Sequence, residues 1–192
     1  MQPIPSLYCV NAATGNNDKH QTAIMTASIS IIVPCLNEGA GIVTALGRLQ
    51  PLRARGVEII VVDGGSDDRT LALAAPLADR LINAPCGRAA QMNAGAAEAR
   101  AGVLLFLHAD CALPPDADRL IINGLTASAK QWGRFDVALD GDHPMLKIIA
   151  SLMNLRSRWT GIATGDQGIF IASSLFSYVG GFPVLPLMED IA

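Results

Sequence analysis

This 192-residue sequence predicts an α/β fold with a mainly parallel central sheet flanked by helices on both faces. Two observations carry that. Short apolar runs alternate with amphipathic helical stretches in the order β-α-β-α-β-α-β, which calls for parallel strands joined by right-handed helical crossovers. The run Val103-Leu104-Leu105-Phe106-Leu107 is apolar without interruption, the pattern of a strand buried on both faces. It ends abruptly in His108-Ala109-Asp110. Polar groups at the carboxyl end of such a strand face the crevice where open α/β sheets bind ligands.

Taken in order, residues 1–26 are mixed and polar, centred on Asn16-Asn17-Asp18-Lys19-His20-Gln21, and are expected to form a disordered leader. Residues 27–192 are the folded domain. Residues 28–33 are the first strand, stopped by Pro34. Residues 38–55 follow as an amphipathic helix with Ile42, Leu46 and Leu49 on one face, and Pro51 breaks or kinks its last turn. Residues 57–62 are a second buried strand. In the turn after it, Asp63-Gly64-Gly65-Ser66-Asp67-Asp68, Ser66 or Asp67 caps a helix ending near residue 77. Residues 79–83 form a short third strand and 88–100 an Ala-rich helix, after which the central strand follows. Pro114-Pro115 then start a helix to residue 129. Residues 133–139 are a strand, 144–158 a helix apolar over most of its surface, and 168–172 the last strand. The closing Leu187-Met188-Glu189-Asp190-Ile191-Ala192 carries no capping or breaking signal, so the domain is expected to be incomplete at its C-terminus.

The apolar content of 51% and mean hydropathy of +0.35 fit a folded body of one domain. A net charge of −3 without a basic stripe excludes nucleic acid as a partner. Cys9, Cys35, Cys86 and Cys111 form no C-x-x-C pair and suit free thiols in a reducing cytoplasm. The longest apolar candidate for a membrane span, 145–155, is short and carries Lys147, whereas a span needs about 20 apolar residues. There is no transmembrane segment and no signal peptide in this reading, and peripheral contact with a membrane stays open.

Acidic residues fall at predicted strand ends: Asp63, Asp110 and the pair Glu189-Asp190. A parallel sheet puts Asp63 and Asp110 on one edge. His108 and Asp110 would project to the same side if strand geometry continued, and together could hold a divalent cation; the other reading is a polar turn with Asp110 in water. Gly64-Gly65 allows positive φ and close approach of backbone to a ligand. Asn37, after Pro34-Cys35-Leu36, either caps the following helix or lines a nucleobase slot. Arg88 opens the Ala-rich helix, where a cation works against the macrodipole unless an anion binds there too.

These residues form ordered motifs. Ile31-Ile32-Val33-Pro34 through Asn37-Glu38, then Val61-Val62-Asp63-Gly64-Gly65-Ser66, then Leu107-His108-Ala109-Asp110, resemble the family-2 glycosyltransferases of the GT-A (Rossmann-like) fold. The likeness covers roughly residues 28–190. Gly87-Arg88-Ala89-Ala90-Gln91-Met92-Asn93-Ala94-Gly95 and Ala163-Thr164-Gly165-Asp166-Gln167-Gly168 resemble a smaller branch, named for radical-SAM or selenium-related neighbours and linked to arsenosugar synthesis. The resemblance implies that Pro34, Asn37, Glu38 and Asp63 surround the base and ribose of a nucleotide-sugar donor and that Arg88 approaches the nucleotide or its diphosphate; Gly64 and Asn93 are also expected in the nucleotide site. It implies that Asp110 binds Mn²⁺ or Mg²⁺ bridging the diphosphate. It makes Asp190, beside Glu189, the base that deprotonates an unidentified acceptor, with inversion at the anomeric carbon. His108 stands where the family has an Asp. Mg²⁺ prefers oxygen ligands, so His108 contacts phosphate or the metal is weakly held. With the chain ending just after Asp190, donor binding with little turnover is expected.

Two rivals are a non-catalytic nucleotide-binding module of the same fold and a dinucleotide-dependent oxidoreductase. The second is disfavoured because Gly39-Ala40-Gly41 is followed by Thr44 where the third fingerprint glycine belongs.

Overall fold

The computed structural model describes residues 7–8, 28–128, 130–139, 141, 143–160 and 167–183. In chain order its elements are β1 (Leu7–Tyr8), β2 (Ile29–Cys35), α1 (Ile42–Arg53), β3 (Glu58–Asp63), α2 (Thr70–Ala74), β4 (Arg80–Asn83) and α3 (Arg88–Glu98). Then come β5 (Val103–Phe106), α4 (Ala117–Ser128), β6 (Trp132–Phe135), α5 (Pro144–Thr160), β7 (Ile169–Ala172) and α6 (Ser173–Val179). The described strands form one sheet in the order β1-β6-β7-β5-β2-β3-β4.

The parallel heart of the sheet is β5-β2-β3-β4. Every residue of β2 and β5 is buried, as their unbroken apolar runs require. Alternate side chains supply two cores. Ile31, Val33, Ile59, Val61 and Leu105 pack with Ile42, Leu46 and Leu49 of α1 and with Ile121 and Leu125 of α4. Ile32, Ile60, Val62, Leu104 and Phe106 pack on the other side with Met92 of α3 and Phe176 of α6. The α/β architecture with helices on both faces is therefore observed.

The structure departs from the sequence reading in several places; besides those that follow, β6 ends at Phe135 and α4 starts only at Ala117. β2 runs through Pro34 instead of stopping there. The Leu107 N–H donates to the Ile32 carbonyl at 3.0 Å, which turns residues 30, 32 and 34 toward β5. The β5 ladder ends at the Ile32–Phe106 pair, so the N–H that Pro34 lacks falls beyond it. α1 starts at Ile42 because the Glu38 carbonyl first accepts from both Gly41 and Ile42 N–H, closing a turn. α1 contains Pro51 and ends two residues later, at Arg53, short of residue 55. β7 runs antiparallel to β5 and β6, a direction that apolar periodicity does not encode. Within the stretch expected as a leader, Leu7–Tyr8 pairs antiparallel with β6; the other residues of that stretch lie outside the described residues.

Candidate functional site

The parallel register places Cys35 beside Asp63, and β5 ends level with Ile32. The loops after β2, β3 and β5 thus leave the sheet at one edge, as the sequence reading of Asp63 and Asp110 required.

The β2 and β3 loops are tied together. Asn37 is in the left-handed region, φ 55°, which Asn tolerates because its short amide bonds locally. Its N–H donates to Ser66 Oγ at 2.8 Å, and its Oδ1 accepts from the Asp67 N–H at 3.0 Å. Asn37 therefore does not cap α1, whose N-cap is Gly41; it bridges two loops. Asp68 adds a second bridge. Its Oδ2 accepts from the Gly39 N–H at 2.9 Å, and its Oδ1 accepts from the Thr70 N–H at 2.8 Å. Asp68, rather than Ser66 or Asp67, thereby serves the first turn of α2.

Asp63 is buried, with 1% of its surface exposed. Its Oδ2 accepts from the Gly65 and Ser66 N–H groups at 3.0 and 2.8 Å, and its Oδ1 from Ser66 Oγ at 2.5 Å. Cys35 Sγ lies 3.8 Å from the same Oδ1. Burial raises the Asp63 carboxyl, but the Ser66 and Gly65 bonds outweigh it and hold the group below its usual range. The neighbouring thiol moves the opposite way: burial first, then the Asp63 charge, push Cys35 up to about 12. The two glycines after Asp63 divide the labour. Gly65 needs its φ of 98°, and Gly64 needs space, because a Cβ there would sit 3.1 Å from the Gln91 amide.

Gln91 was missed by the sequence reading. It is buried on α3 and donates through Nε2 to the carbonyls of Cys35 at 2.8 Å and Val62 at 2.9 Å. The signal was there: an amide among Ala89, Met92 and Gly95 on the helix face that packs on the sheet. Arg88, at the first position of α3, is exposed at the same end of that helix. Pro34 is buried, and Glu38 is half-buried at the turn into α1. The Asn93 amide engages the backbone of Phe182, at 2.8 and 2.9 Å.

After β5 the chain does not continue as a strand. The Cys111 N–H donates to the His108 carbonyl at 3.1 Å, closing a turn. His108 is buried and Asp110 exposed, so the two do not present one paired face. Among the described residues no three His, Cys, Asp or Glu side chains cluster to hold a metal ion. In the loop after β5 the donor is the exposed carboxylate of Asp110, which fits a hard cation that takes its other ligands from phosphate and water. Glu189, Asp190 and Asp166 lie outside the described residues.

The chain is similar to known proteins in sequence and in fold. Residues 30–174 match the model of glycosyl transferase family 2. The undecaprenyl-phosphate 4-deoxy-4-formamido-L-arabinose transferase of Pseudomonas aeruginosa is 26% identical over 155 residues, 74% of this chain and 45% of that protein. The chain thus spans less than half the length of the curated relatives it matches. Among solved structures, a mannosyltransferase from Pyrobaculum calidifontis in complex with GDP-Man and Mn²⁺ aligns with TM-score 0.67 and 21% identity, over 86% of this chain and 50% of that one. The glucosyl-3-phosphoglycerate synthase of Mycobacterium tuberculosis, in complex with Mn²⁺, UDP and glucosyl-3-phosphoglycerate, aligns with TM-score 0.59 and 19% identity, over 90% and 66%. These likenesses establish the GT-A fold.

Proposed function

The chain belongs to glycosyl transferase family 2, and we propose that it moves a sugar from a nucleoside-diphosphate donor, a UDP-sugar, to an acceptor hydroxyl with inversion. The observation that supports this best is the pair of bridges from Asn37 and Asp68, which hold the β2 and β3 loops at fixed spacing before any ligand arrives. Pro34, Asn37, Glu38, Asp63 and Gly64 surround the base and ribose. Asp63 shapes that wall from within, since its carboxylate already accepts several bonds from its own turn. Arg88 and His108 meet the diphosphate. Asn93 acts through Phe182, as a positioning residue.

In the reaction, the acceptor oxygen attacks the anomeric carbon while the bond from that carbon to the diphosphate oxygen breaks. The electron pair of the broken bond leaves with the nucleoside diphosphate. Asp190 takes the acceptor proton, and Glu189 stands beside it. Asp110 would hold Mn²⁺ or Mg²⁺ against the diphosphate, where such a cation offsets the charge that develops on the leaving group. That Cys35, Cys86 and Cys111 are thiols outside any disulfide supports a reducing, cytoplasmic location. Among the described residues no helix is long and apolar enough to cross a membrane. The arsenosugar-linked branch rests on the segments 87–95 and 163–168.

A thermal-shift panel with UDP, GDP, dTDP and NADH, each with and without Mn²⁺, tests the reading. A ligand at 100 times its dissociation constant stabilises the fold by about 2.7 kcal/mol. Protection by one nucleoside diphosphate, strengthened by Mn²⁺ and lost in Asp110→Ala, is the expected result. Protection by NADH alone would favour the oxidoreductase. Diphosphate binding without release of nucleotide from any sugar donor would favour the non-catalytic module.

A further inference from the structure

α5 has two faces, and among the described residues only one of them packs against the protein. Ala150 and Ser157 are buried beneath it. Met145, Ile148, Ile149, Leu152, Leu155 and Trp159 recur at helical spacing along a different face, and they are 41 to 83% exposed. A solvent-facing stripe of six large apolar side chains is more than scattered surface residues produce.

The helix is anchored so that this stripe faces outward. Asn154 Oδ1 accepts from the Val137 N–H and its Nδ2 donates to the Val137 carbonyl, both at 2.9 Å. Arg158 donates to Asp136 at 2.5 Å, and Ser157 Oγ to Gln167 Oε1 at 3.2 Å. These contacts fix the C-terminal half of α5 against the end of β6 and the start of β7. Ile169 pairs with both Phe106 and Arg134, so residues 136–168 leave and rejoin the sheet at the edge where β5 ends. That is the edge carrying His108 and Asp110.

Charge names the occupant. α5 contains Lys147, Arg156 and Arg158 and no Asp or Glu; Asp140 and Asp142 precede it in sequence. Lys147 and Arg156 are exposed and make no ion pair among the described residues. An apolar face ending in Trp, with cations and no acids, suits the headgroup region of an anionic bilayer. A helix face built for a second copy of this chain would need acids to meet its cations. The geometry points to α5 as an interfacial helix that seats the candidate site's edge on an anionic lipid surface. This holds independently of the donor-site reading.

Co-sedimentation of the 192-residue chain with vesicles tests it, on material shown folded by circular dichroism. The probes are phosphatidylcholine vesicles and the same vesicles enriched in phosphatidylglycerol. The chain pellets with the anionic vesicles, less at high salt, and Trp159 emission shifts to the blue in a Trp132→Phe background. Lys147→Gln and Arg156→Gln each lower the partition coefficient about fivefold, the weight of one cation near an anionic surface. Ile148→Ser with Leu152→Ser abolishes pelleting while the melting curve stays, because both side chains are exposed. Failure to pellet, or pelleting that none of these substitutions weakens, overturns the proposal. So does a dimer in light scattering that Leu152→Glu dissociates, with no vesicle binding; the stripe would then be a contact between copies. None of these readouts needs a sugar donor, so their failure leaves the donor-site reading standing.

Discussion

Asn93 and Phe182 exchange two hydrogen bonds across a separation of 89 residues: Nδ2 donates to the Phe182 carbonyl at 2.8 Å, and Oδ1 accepts from the Phe182 N–H at 2.9 Å. The amide thereby imitates a strand partner and pins the turn after α6 onto α3. Gly181 makes room for it, since a Cβ there would lie 2.7 Å from Asn93 Oδ1. The chain continues from this turn toward Glu189-Asp190. Asn93→Ala leaves both backbone groups of Phe182 unpaired and should cost about 1–3 kcal/mol in a urea melt. The same variant should keep its affinity for nucleoside diphosphate in calorimetry while turnover falls. A drop in affinity instead would put the amide on the nucleotide.

Asp63 should make the protein acid-sensitive in a defined window. Its folded pKa is depressed, so its contribution is complete above the unfolded value of about 4 and is lost as pH falls below that. Asp63→Asn should lower stability at neutral pH by about 1–3 kcal/mol and flatten the acid limb of a stability–pH curve. Cys35 acts at the other end. Its thiol is raised to about 12, so stability should decline above about pH 8.5, where the unfolded thiol ionises but the folded one does not. In thiol labelling at neutral pH, the exposed Cys86 should react well before Cys35.

Gly95 sets how closely α3 approaches the sheet. A Cβ there would fall 2.5 Å from Ile32 Cγ2 and 2.9 Å from Val62 Cγ2. Gly95→Ala would normally favour a helix, but here it should destabilise by about 1–3 kcal/mol through overpacking. It should also weaken nucleotide binding, because α3 carries Gln91 into the β2 and β3 loops. A stabilising Gly95→Ala in a thermal melt would contradict this packing.

Asp136 holds two arginines. It accepts from Arg134 at 2.8 Å and from Arg158 at 2.5 Å, and the Arg134 side chain is fully buried. Asp136→Ala leaves a buried guanidinium without its counter-charge and should cost about 3–5 kcal/mol in a denaturant melt. Arg158→Ala, which breaks only the exposed half, should cost about 1 kcal/mol or less.

Much of this protein was legible in its residues. The apolar runs in β2, β3 and β5 located the strands, because burial on two faces demands continuous apolar sequence. The polar punctuation after each run, at Asn37, Asp63 and His108-Asp110, located the edge. The Gly64-Gly65 pair signalled a turn that only glycines permit. Pro34 misled because a proline is harmless where no ladder bond is due, and that depends on where β5 stops. Asn37 offered a helix cap by local rules and became a bridge to Ser66 and Asp67.

The sequence by itself determined the fold class, the places of the buried parallel strands β2, β3 and β5 and the edge that carries the candidate site, since hydrophobic period and turn chemistry are local properties of a chain. Tertiary structure alone decided that β7 runs antiparallel, that Gln91 and Asn93 serve backbone groups rather than solvent, and that the apolar stripe of α5 faces outward. Each of those outcomes depends on partners far along the chain, and a side chain's role is set by which distant groups the fold brings within hydrogen-bond reach.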